Sequence, residues 1–503
     1  MNNVLEWLEA SARRTPDGVA FASDHDKMTF AELQAAARAI GSFLAPRQGE
    51  NAPVAVLARK DASAVAAMLG AVYARGFYCC LDERQPDARM RSIVETLGAH
   101  FVLVDEDHRD QAQKALAGMS VKIAVIDSLV EGPVDDDLLA ARRAMALDTD
   151  PLYVNFTSGS TGTPKGVVVG HRSVIDFIGQ FTSIFGIGAD DRIANQAPFD
   201  FDVSVKDLYS GLATGATVHL IPRDFFSVPT QLMDFLAERE VTVCTWAVSA
   251  MCFVSIMGGF DYREVPSIRL VIFSGEVMPV KQLNVWRAHL PEATFVNVYG
   301  PTEITCNCTY HVIDREYEKG DVIPIGRPFP NEKVFLLDED DVLVTEPGRP
   351  GEVCVGGAGL ALGYCNDPER TAAAFVQNPL NDAYLELVYR TGDLAHYDEQ
   401  GELVYVGRKD HQIKHMGQRI ELGEIEAVAD ALDGIDRACC VYNSRKKRIV
   451  MYYAGDIGKD ELLERLADKL PSFMVPNRVN QLDELPMTKN GKIDRAKLSE
   501  MGA

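Results

Sequence analysis

Short apolar runs alternate with amphipathic stretches up to about residue 400 of the chain. The runs are almost continuously hydrophobic, which is typical of parallel strands covered on both faces, and the amphipathic stretches between them predict helices. Strands are predicted at residues 54–57, 101–104, 121–126 and 270–273, and helices at residues 62–75 and 86–96. This alternation predicts a layered α/β architecture.

The pattern becomes shorter and more charged after a polar turn at residues 398–401. Beyond it, the spacing predicts helices at residues 423–432 and 459–470, and strands at residues 438–442 and 449–454. These elements are typical of a small α+β domain joined through a polar segment. We therefore expect two domains, a large one over residues 1–409 and a small one over residues 410–503.

One stretch, residues 241–260, carries no charge and is long enough to span a membrane. It is rich in Thr, Ser, Cys and Gly, however, and charged residues flank it on both sides. A strand at residues 241–245 followed by a helix at residues 248–257 accounts for it as a buried βα unit. We expect no membrane partner.

Composition and charge narrow the functional classes. The 503 residues are 47% hydrophobic and 24% charged, and 50 basic against 73 acidic residues give a net charge of −23. This field repels a phosphate backbone, so nucleic acid is not an expected partner. The ten cysteines show no repeated zinc-type spacing and are expected to be reduced and mostly buried. The first residues mix apolar and acidic side chains, unlike a signal peptide, so we expect a cytoplasmic protein.

The strongest chemical signal is the segment 153–167, where a predicted strand leads into five Ser or Thr hydroxyls, three glycines and Lys165. Glycines let the backbone approach a polyphosphate, and the hydroxyls and amides donate to its oxygens. An ordinary surface turn is the alternative, but it needs neither the strand nor the lysine. Pro164 and Gly166 around the lysine exclude a Walker loop. The expected phosphate contacts are Thr157, Ser158, Gly159, Ser160, Thr161, Gly162 and Lys165.

This segment resembles the signature loop of the adenylate-forming superfamily, which includes acyl-CoA synthetases, luciferases and nonribosomal peptide synthetase adenylation domains. Further segments similar to the family's motifs follow in order at residues 28–33, 81–86, 297–303, 351–357, 389–394, 407–410, 417–426 and 486–494. The resemblance implies the acyl-adenylate synthetase fold: a large layered α/β N-terminal domain with the ATP and substrate sites, and a small mobile α+β C-terminal domain. It also implies that ATP and Mg²⁺ are used.

The resemblance assigns roles to single residues. It implies that Tyr299 and Asn297 contact adenine, that Asp393 and Arg408 contact the ribose, and that Thr302 and Glu303 lie at the α-phosphate. It further implies that Glu303 holds Mg²⁺, which prefers oxygen ligands. Taken singly, Asp393 is more typical of a turn or a cap and Tyr299 of a core aromatic, and only the full set of motifs favours the nucleotide contacts.

Two residues of the second domain complete the resemblance. Lys492 matches the family's catalytic lysine, whose charge would stabilise the charge that develops when a carboxylate attacks the α-phosphate. Asp410 matches the family's hinge, about which the small domain swings between adenylation and thiol transfer. Without the resemblance, Lys492 is an exposed basic residue in a turn.

The segment 201–204 is similar to the part of amino-acid-activating members whose aspartate pairs with the substrate ammonium. Asp202 fits this position better than Asp200, because Ser204 follows in register. The same matching implies a pocket lined by Val203, Lys206, Thr245, Ile272, Ser274, Val298, Cys306 and Asn307. Lys206 has two interpretations: it points toward an acidic or polar substrate side chain, or it lies along the wall with its ammonium in solvent.

These observations predict a ligase that activates a small, polar amino acid as aminoacyl-AMP and passes it to a discrete carrier protein. Residues 273–279 also resemble D-alanine–carrier protein ligases, but Ser274 and Lys206 depart from that pattern. The alternatives are an acyl-CoA synthetase, disfavoured by Asp202, and an inactive binding homologue. The inactive homologue is disfavoured by the presence of Lys165, Glu303, Asp393 and Lys492.

Overall fold

The computed structural model describes residues 1–159, 164–410, 412–444, 446–487 and 493–501. The predicted phosphate contacts Ser160, Thr161 and Gly162 and the predicted catalytic Lys492 lie outside these described residues.

The helices follow the chain in this order: α1 Leu5–Arg14, α2 Phe30–Leu44, α3 Ala62–Tyr73, α4 Asp87–Leu97, α5 Arg109–Ala115, α6 Asp136–Ala144, α7 His171–Phe185, α8 Val203–Thr214, α9 Pro229–Glu238, α10 Val248–Ile256, α11 Gly259–Tyr262, α12 Val280–His289, α13 Pro368–Ala374, α14 Leu422–Asp430, α15 Lys459–Ala467 and α16 Arg495–Met501. The strands are β1 Val19–Ala22, β2 Lys27–Thr29, β3 Pro53–Leu57, β4 Phe77–Cys80, β5 Phe101–Val104, β6 Lys122–Val125, β7 Pro151–Thr157, β8 Lys165–Gly170, β9 Arg192–Asn195, β10 Thr217–Leu220, β11 Val243–Ala247, β12 Leu270–Ser274, β13 Thr294–Tyr299, β14 Thr309–Val312, β15 Arg327–Pro328, β16 Glu332–Leu337, β17 Leu343–Val344, β18 Gly351–Gly357, β19 Gly363–Tyr364, β20 Phe375–Gln377, β21 Leu387–Tyr397, β22 Leu403–Arg408, β23 Gln412–His415, β24 Gln418–Glu421, β25 Ile435–Asn443, β26 Arg448–Gly455 and β27 Arg478–Gln481.

Two largely parallel sheets form the frame of the large domain. The first has the order β15-β14-β13-β12-β11-β9-β10-β1-β2, and the second β19-β8-β7-β4-β3-β5-β6. Helices α1, α2, α3, α7 and α8 contribute to the hydrophobic cluster that joins these two sheets. Helices α9 to α12 cover the outer face of the first sheet, and α4 and α5 that of the second. Both faces of the sheets are therefore buried, which explains the continuously apolar strands.

Alternate residues of one strand show this coverage directly. In β12, Leu270 and Ile272 belong to the shared cluster, whereas Val271 and Phe273 pack on the outer helices. Successive side chains of a β-strand point to opposite faces of the sheet, so this strand is covered on both faces. The predicted layered α/β architecture is confirmed.

A third sheet, with the order β17-β16-β18-β21-β20 and with β22 paired to β21, completes the large domain. It brings Asp393 and Arg408 opposite each other, since these residues are register partners on β21 and β22. A cross-strand pair of this kind places two side chains side by side. The predicted ribose contacts are thus neighbours by strand pairing.

The small C-terminal domain has its own core. The β23–β24 hairpin and the β25-β26-β27 sheet pack with α14 and α15 around a cluster that includes Ile420, Ile425, Met451 and Leu462. A second cluster on the other face of this sheet includes Leu498 of α16. The predicted α+β character is confirmed, whereas the domain boundary at residues 409 and 410 stays a prediction.

The uncharged stretch 241–260 folds as the buried βα unit that was predicted. It forms β11, a central strand of the first sheet, followed by α10 and the start of α11. Trp246 in the strand and Met251 in the helix are both fully buried. In the described part of the chain, no helix combines the length and the apolar character needed to cross a membrane.

All ten cysteines fall among the described residues, and each is buried and unpaired. Burial raises the pKa of the Cys306 and Cys440 thiols well above the usual value. Protonated, buried thiols of this kind are inert packing groups.

Candidate active site

A cleft lies where the large domain meets the β23–β24 hairpin of the small domain. Its walls come from the carboxyl ends of β7, β12 and β13, the usual position of ligand sites in parallel sheets. The lining includes Arg89, Asn155, Thr157, Ser158, Asp202, Val203, Ser274, Thr302, Cys306, Asn307, Asp393, Arg408, Lys414 and Arg419. Strand ends far apart in the sequence thus contribute to one cavity.

Asp202 stands at the start of α8 and faces this cleft. Its carboxylate does not cap the helix. With the Asn155 amide oriented to satisfy its neighbours, the amide oxygen accepts from the Asp202 backbone N–H at 2.7 Å. Burial raises the pKa of Asp202, and the Thr302 hydroxyl and the Lys206 charge oppose this rise. A cationic ligand group would therefore stabilise the charged carboxylate.

The loop after β13 presents Cys306 and Asn307 to the cleft through an unusual backbone. Thr305 and Cys306 have φ values of 45° and 70°, in the left-handed region that side chains other than glycine rarely adopt. A Cβ atom on Gly300 would lie 2.5 Å from the Asn307 Cα atom, so only glycine permits this close approach. Such strained backbone persists where the surrounding structure holds it, and it is concentrated at functional sites.

Some predicted pocket residues lie behind this wall. Thr245 is buried and its hydroxyl donates to the Asp207 carboxylate, while Ile272 belongs to the core. Val298 lines a neighbouring cavity. Lys206 is 1% exposed, and its ammonium donates to Asn307 Oδ1 at 3.0 Å. The interpretation that places the Lys206 ammonium in solvent is therefore wrong.

The neighbouring cavity contains the predicted adenosine contacts Asn297 and Tyr299, and it shares Gly300, Arg408 and Lys414 with the cleft. Tyr299 Oη donates to Asp393 Oδ2 at 2.6 Å, and Arg408 Nη1 donates to Asp393 Oδ1 at 2.7 Å. The Lys414 ammonium stands 5.5 Å from the centre of the Tyr299 ring. The Asn297 amide, by contrast, donates to the Pro324 carbonyl at 2.7 Å.

A cluster of charges surrounds Glu303. Its Oε1 accepts from Lys165 at 3.0 Å and from the Tyr364 hydroxyl at 2.8 Å, and its Oε2 accepts from Arg419 at 2.7 Å. Burial by itself raises the pKa of Glu303, but Arg419 and Lys165 outweigh it and hold the pKa well below the usual range. The carboxylate is therefore ionised, and both of its oxygens are paired within the protein.

The fit of a magnesium ion can be judged from this arrangement. Among the described residues, no group of three or more His, Cys, Asp or Glu side chains is arranged to hold a metal. Mg²⁺ at nucleotide sites commonly takes one or two carboxylates together with phosphate oxygens and waters. Glu303 meets this requirement once Arg419 leaves its Oε2 atom. The residues present thus fit a metal bound together with ATP rather than alone.

The small domain also contacts the start of the phosphate loop. The Gly159 backbone N–H donates to Glu424 Oε2 at 2.9 Å, and Arg89 donates to Glu424 Oε1 at 2.6 Å. Ser158 Oγ donates to the Arg419 carbonyl at 2.8 Å and accepts from the Glu421 backbone N–H at 3.0 Å. A carboxylate of the small domain therefore occupies a backbone donor that suits a phosphate oxygen.

Asp410, the predicted hinge, is held at the junction of the domains. Both of its carboxylate oxygens accept from Arg408, each at 2.7 Å. Burial by itself raises the pKa of Asp410, but the Arg408 guanidinium outweighs this effect and holds the pKa below its usual value. This bidentate pair fixes Asp410 beside the Arg408–Asp393 contact.

Several residues at the cleft had no role in the sequence interpretation, namely Arg89, Asn155, Tyr364, Lys414 and Glu424. Arg419 also had no role in the sequence interpretation, although it lies with Glu424 in the segment 417–426 that resembles a family motif. The resemblance of that segment could have indicated that both residues lie at the site. Arg89 had no such signal, because it lies in a helix whose only visible feature was its amphipathic pattern.

The sequence profile of the family described as AMP-binding enzyme matches residues 8–365, and that of the AMP-binding enzyme C-terminal domain matches residues 424–492. Surfactin synthase subunit 2 of Bacillus subtilis (strain 168) is 32% identical over 505 residues. This match covers 98% of the present chain but only 14% of the relative, so the chain spans a small part of that protein.

Two solved structures are similar over nearly the whole chain. Holo-PA1221, an NRPS protein containing adenylation and PCP domains, has a TM-score of 0.83 and 25% identity, over 99% of this chain and 84% of that one. The o-succinylbenzoate CoA synthetase of Bacillus subtilis has a TM-score of 0.84 and 21% identity, over 99% and 98%. The second likeness is one of fold alone.

Proposed function

Because this chain belongs to the AMP-binding enzyme family and is an adenylate-forming enzyme, we propose that its substrate is an amino acid. It activates this amino acid with ATP as aminoacyl-AMP, releases pyrophosphate, and transfers the aminoacyl group to the phosphopantetheine thiol of a separate carrier protein. The observation that carries the amino-acid part is Asp202, an uncapped carboxylate on the cleft wall.

Asp202 supports an ammonium-bearing substrate for an electrostatic reason. Burial raises the pKa of its carboxylate, and the Lys206 charge opposes this rise without forming a salt bridge with it among the described residues. A substrate ammonium in the cleft would supply a direct counter-charge. A simple carboxylic acid has no such group, and its binding would leave the carboxylate desolvated and unpaired.

Three described groups support the nucleotide assignment. Asp393 can accept from ribose hydroxyls, Lys165 can neutralise phosphate charge, and Glu303 can hold Mg²⁺. When bound, the metal screens the phosphate charge and so assists attack by the substrate carboxylate. The chain's own groups hold the α-phosphate and the carboxylate within reach of each other, which is the positioning part of catalysis.

The pose of the small domain supports alternation between two half-reactions. In this pose Glu424 takes the Gly159 N–H, and Arg419 takes Glu303 Oε2. Both groups must leave before a triphosphate and its metal can use the same partners. We propose that rotation about Asp410 releases them for adenylation and brings Lys492 to the reacting phosphate. Return to the present pose follows loss of pyrophosphate and permits thiol transfer.

The acyl-CoA synthetase alternative rests on the likeness to o-succinylbenzoate CoA synthetase, whose fold is shared over 99% of this chain. The fold therefore does not separate the two activities. The carrier-protein acceptor is supported instead by holo-PA1221, a relative in which adenylation and PCP domains occur together. Asp202 favours the amino-acid ligase over the CoA ligase.

Exchange of labelled pyrophosphate into ATP tests this function. We expect exchange that depends on Mg²⁺ and on an amino acid, with AMP and pyrophosphate as products once a thiol acceptor is added. A matched assay with the deamino acid of the same carbon skeleton should give little exchange. Equal exchange with the deamino acid would move the acyl-CoA synthetase to first place, and release of ADP would exclude adenylation.

A further inference from the structure

Lys206 is a buried ammonium directly behind the substrate wall. It lies one helical turn after Asp202 on α8 and is 1% exposed. In the described part of the chain, its only hydrogen bond goes to Asn307 Oδ1, at 3.0 Å, and it forms no salt bridge. Burial lowers the pKa of Lys206, and the nearby Asp207 and Asp202 carboxylates partly offset this effect without bonding to the ammonium. An ammonium has three donors to satisfy, so its bond to Asn307 is the contact that fixes its direction.

The hydrogen bond determines how Asn307 is oriented. An ammonium only donates, so the Asn307 carbonyl oxygen must point toward Lys206 and its NH₂ group away from it. Asn307 itself lines the cleft. Its backbone has little freedom, because Gly300 packs against its Cα atom and the two preceding residues are left-handed. The group that Asn307 offers to a ligand is therefore an N–H donor.

The charge behind this donor is only partly offset by its neighbour Asp207. That carboxylate accepts from the Thr245 hydroxyl and from the Asn195 amide at 2.8 Å, and in the described part of the chain it forms no salt bridge with Lys206. Burial raises the pKa of Asp207 to about 7 and lowers that of Lys206, so the negative charge of Asp207 is incomplete at neutral pH. The pocket thus has Asp202 on one side and, on another, an amide donor with a cation behind it.

We propose that this pocket selects an amino acid whose side chain ends in a carboxylate. Asn307 donates to the side-chain carboxylate, and Lys206 acts through Asn307 as a positioning residue that orients the amide and favours an anion. Asp202 binds the ammonium of the same substrate. This inference rests on the proposed function, because it names the substrate class of that site.

Pyrophosphate exchange with two sets of similar size tests the inference: aspartate, asparagine and leucine, then glutamate, glutamine and methionine. We expect the carboxylate member of one set to exceed the apolar member about a hundredfold in kcat/KM, since a site built for a polar group rejects an analogue that lacks it. Lys206→Met should reduce that ratio at least tenfold, mainly through KM. The ratio is a readout that general loss of stability does not change.

Two further variants keep the result interpretable. Asn307→Asp keeps a partner for Lys206 but removes the amide donors, so it should lose the carboxylate preference while remaining folded. Lys333→Met is the matched control, because Lys333 lies on the surface and pairs with Glu386 away from the cleft. It should leave both kcat/KM and the ratio unchanged.

A best rate with the apolar or the carboxamide member, or an unchanged ratio in Lys206→Met, would overturn the inference while leaving amino-acid activation intact. Exchange with succinate or glutarate but with none of the amino acids would instead refute the proposed function. The two failures are therefore distinguishable.

Discussion

The substrate end and the phosphate end of the cleft are held in different ways. At the substrate end, Asp202 and Asn307 are positioned by contacts within the large domain, including those to Asn155 and Lys206. At the phosphate end, by contrast, the Gly159 N–H donates to Glu424 of the small domain. The substrate end is therefore formed by the large domain alone, whereas the phosphate end is formed by both domains.

This contrast indicates a division of work. Groups held by packed strands and a strained loop keep their geometry, which suits recognition of a substrate. Groups that exchange partners when a domain moves suit a reaction with two steps. Substitutions at the substrate end should therefore alter the selectivity for the acid substrate. Substitutions at the phosphate end should alter the affinity for ATP through the pose of the small domain.

The largest expected effect is at the substrate end. Asp202→Ala removes the partner of a buried ammonium, a loss of about 3–5 kcal/mol in similar pairs. Exchange with the natural amino acid should fall at least a hundredfold, whereas exchange with its deamino analogue should change far less. Asp200→Ala is the matched control from the same Phe-Asp repeat. A loss of amino-acid selectivity in Asp200→Ala instead would show that the register is wrong.

Lys492→Ala tests whether the small domain contributes to the chemistry as well as to the contacts. Loss of a charge at the developing transition state reduces rates by about 10²–10³. We expect this reduction in single-turnover adenylation, with an unchanged melting temperature. Lys489→Ala, in the same segment, provides the control. Adenylation at the normal rate by folded Lys492→Ala would remove this residue from the mechanism.

A smaller effect is expected from Glu424→Gln at the phosphate end. It weakens the charged hydrogen bond from Arg89, worth about 1.5–3 kcal/mol, and so disfavours the pose that blocks the Gly159 N–H. Since the apparent dissociation constant depends on the fraction of binding-competent protein, ATP analogues should bind up to about tenfold more tightly in calorimetry.

Glu426→Gln is the control for that experiment. Glu426 lies two residues further along α14, but it pairs with Arg495 inside the small domain. Its substitution should leave the affinity for the nucleotide unchanged. Weaker nucleotide binding in Glu424→Gln would mean that Glu424 does not compete with phosphate.

The smallest effect concerns pH. Burial raises the pKa of Asp202, so protonation should weaken amino-acid binding as the pH falls through a value above about 4, the ordinary aspartate value. The acidic limb of kcat/KM should fall by no more than tenfold per pH unit. The acidic limb of the kcat profile should lie at lower pH than that of kcat/KM, because the bound ammonium lowers the pKa of Asp202 again. If the Asp202→Asn variant keeps an acidic limb at the same pH as the wild type, that limb belongs to another group.

Much of this protein was predictable from local pattern. The apolar runs placed β5 at residues 101–104, and the spacing after residue 410 predicted α14 and α15 to within three residues at either end. The motif resemblance predicted Asp393 and Arg408 as ribose contacts, and the structure brings these two side chains together at 2.7 Å. Such features depend on residues close in sequence, where periodicity and spacing carry the information.

Tertiary structure alone decided the rest. The exposure of Lys206 could not be inferred, because a lysine on a helix face is solvated unless another element covers it, and here Asn307 covers it from the loop between β13 and β14. Likewise, the contact of Arg89 with Glu424 joins residues 335 positions apart. The sequence by itself determined the elements, the layered fold and the chemistry of the motifs. Which charges are buried, and which partner each one meets, depends on long-range packing that no local pattern encodes.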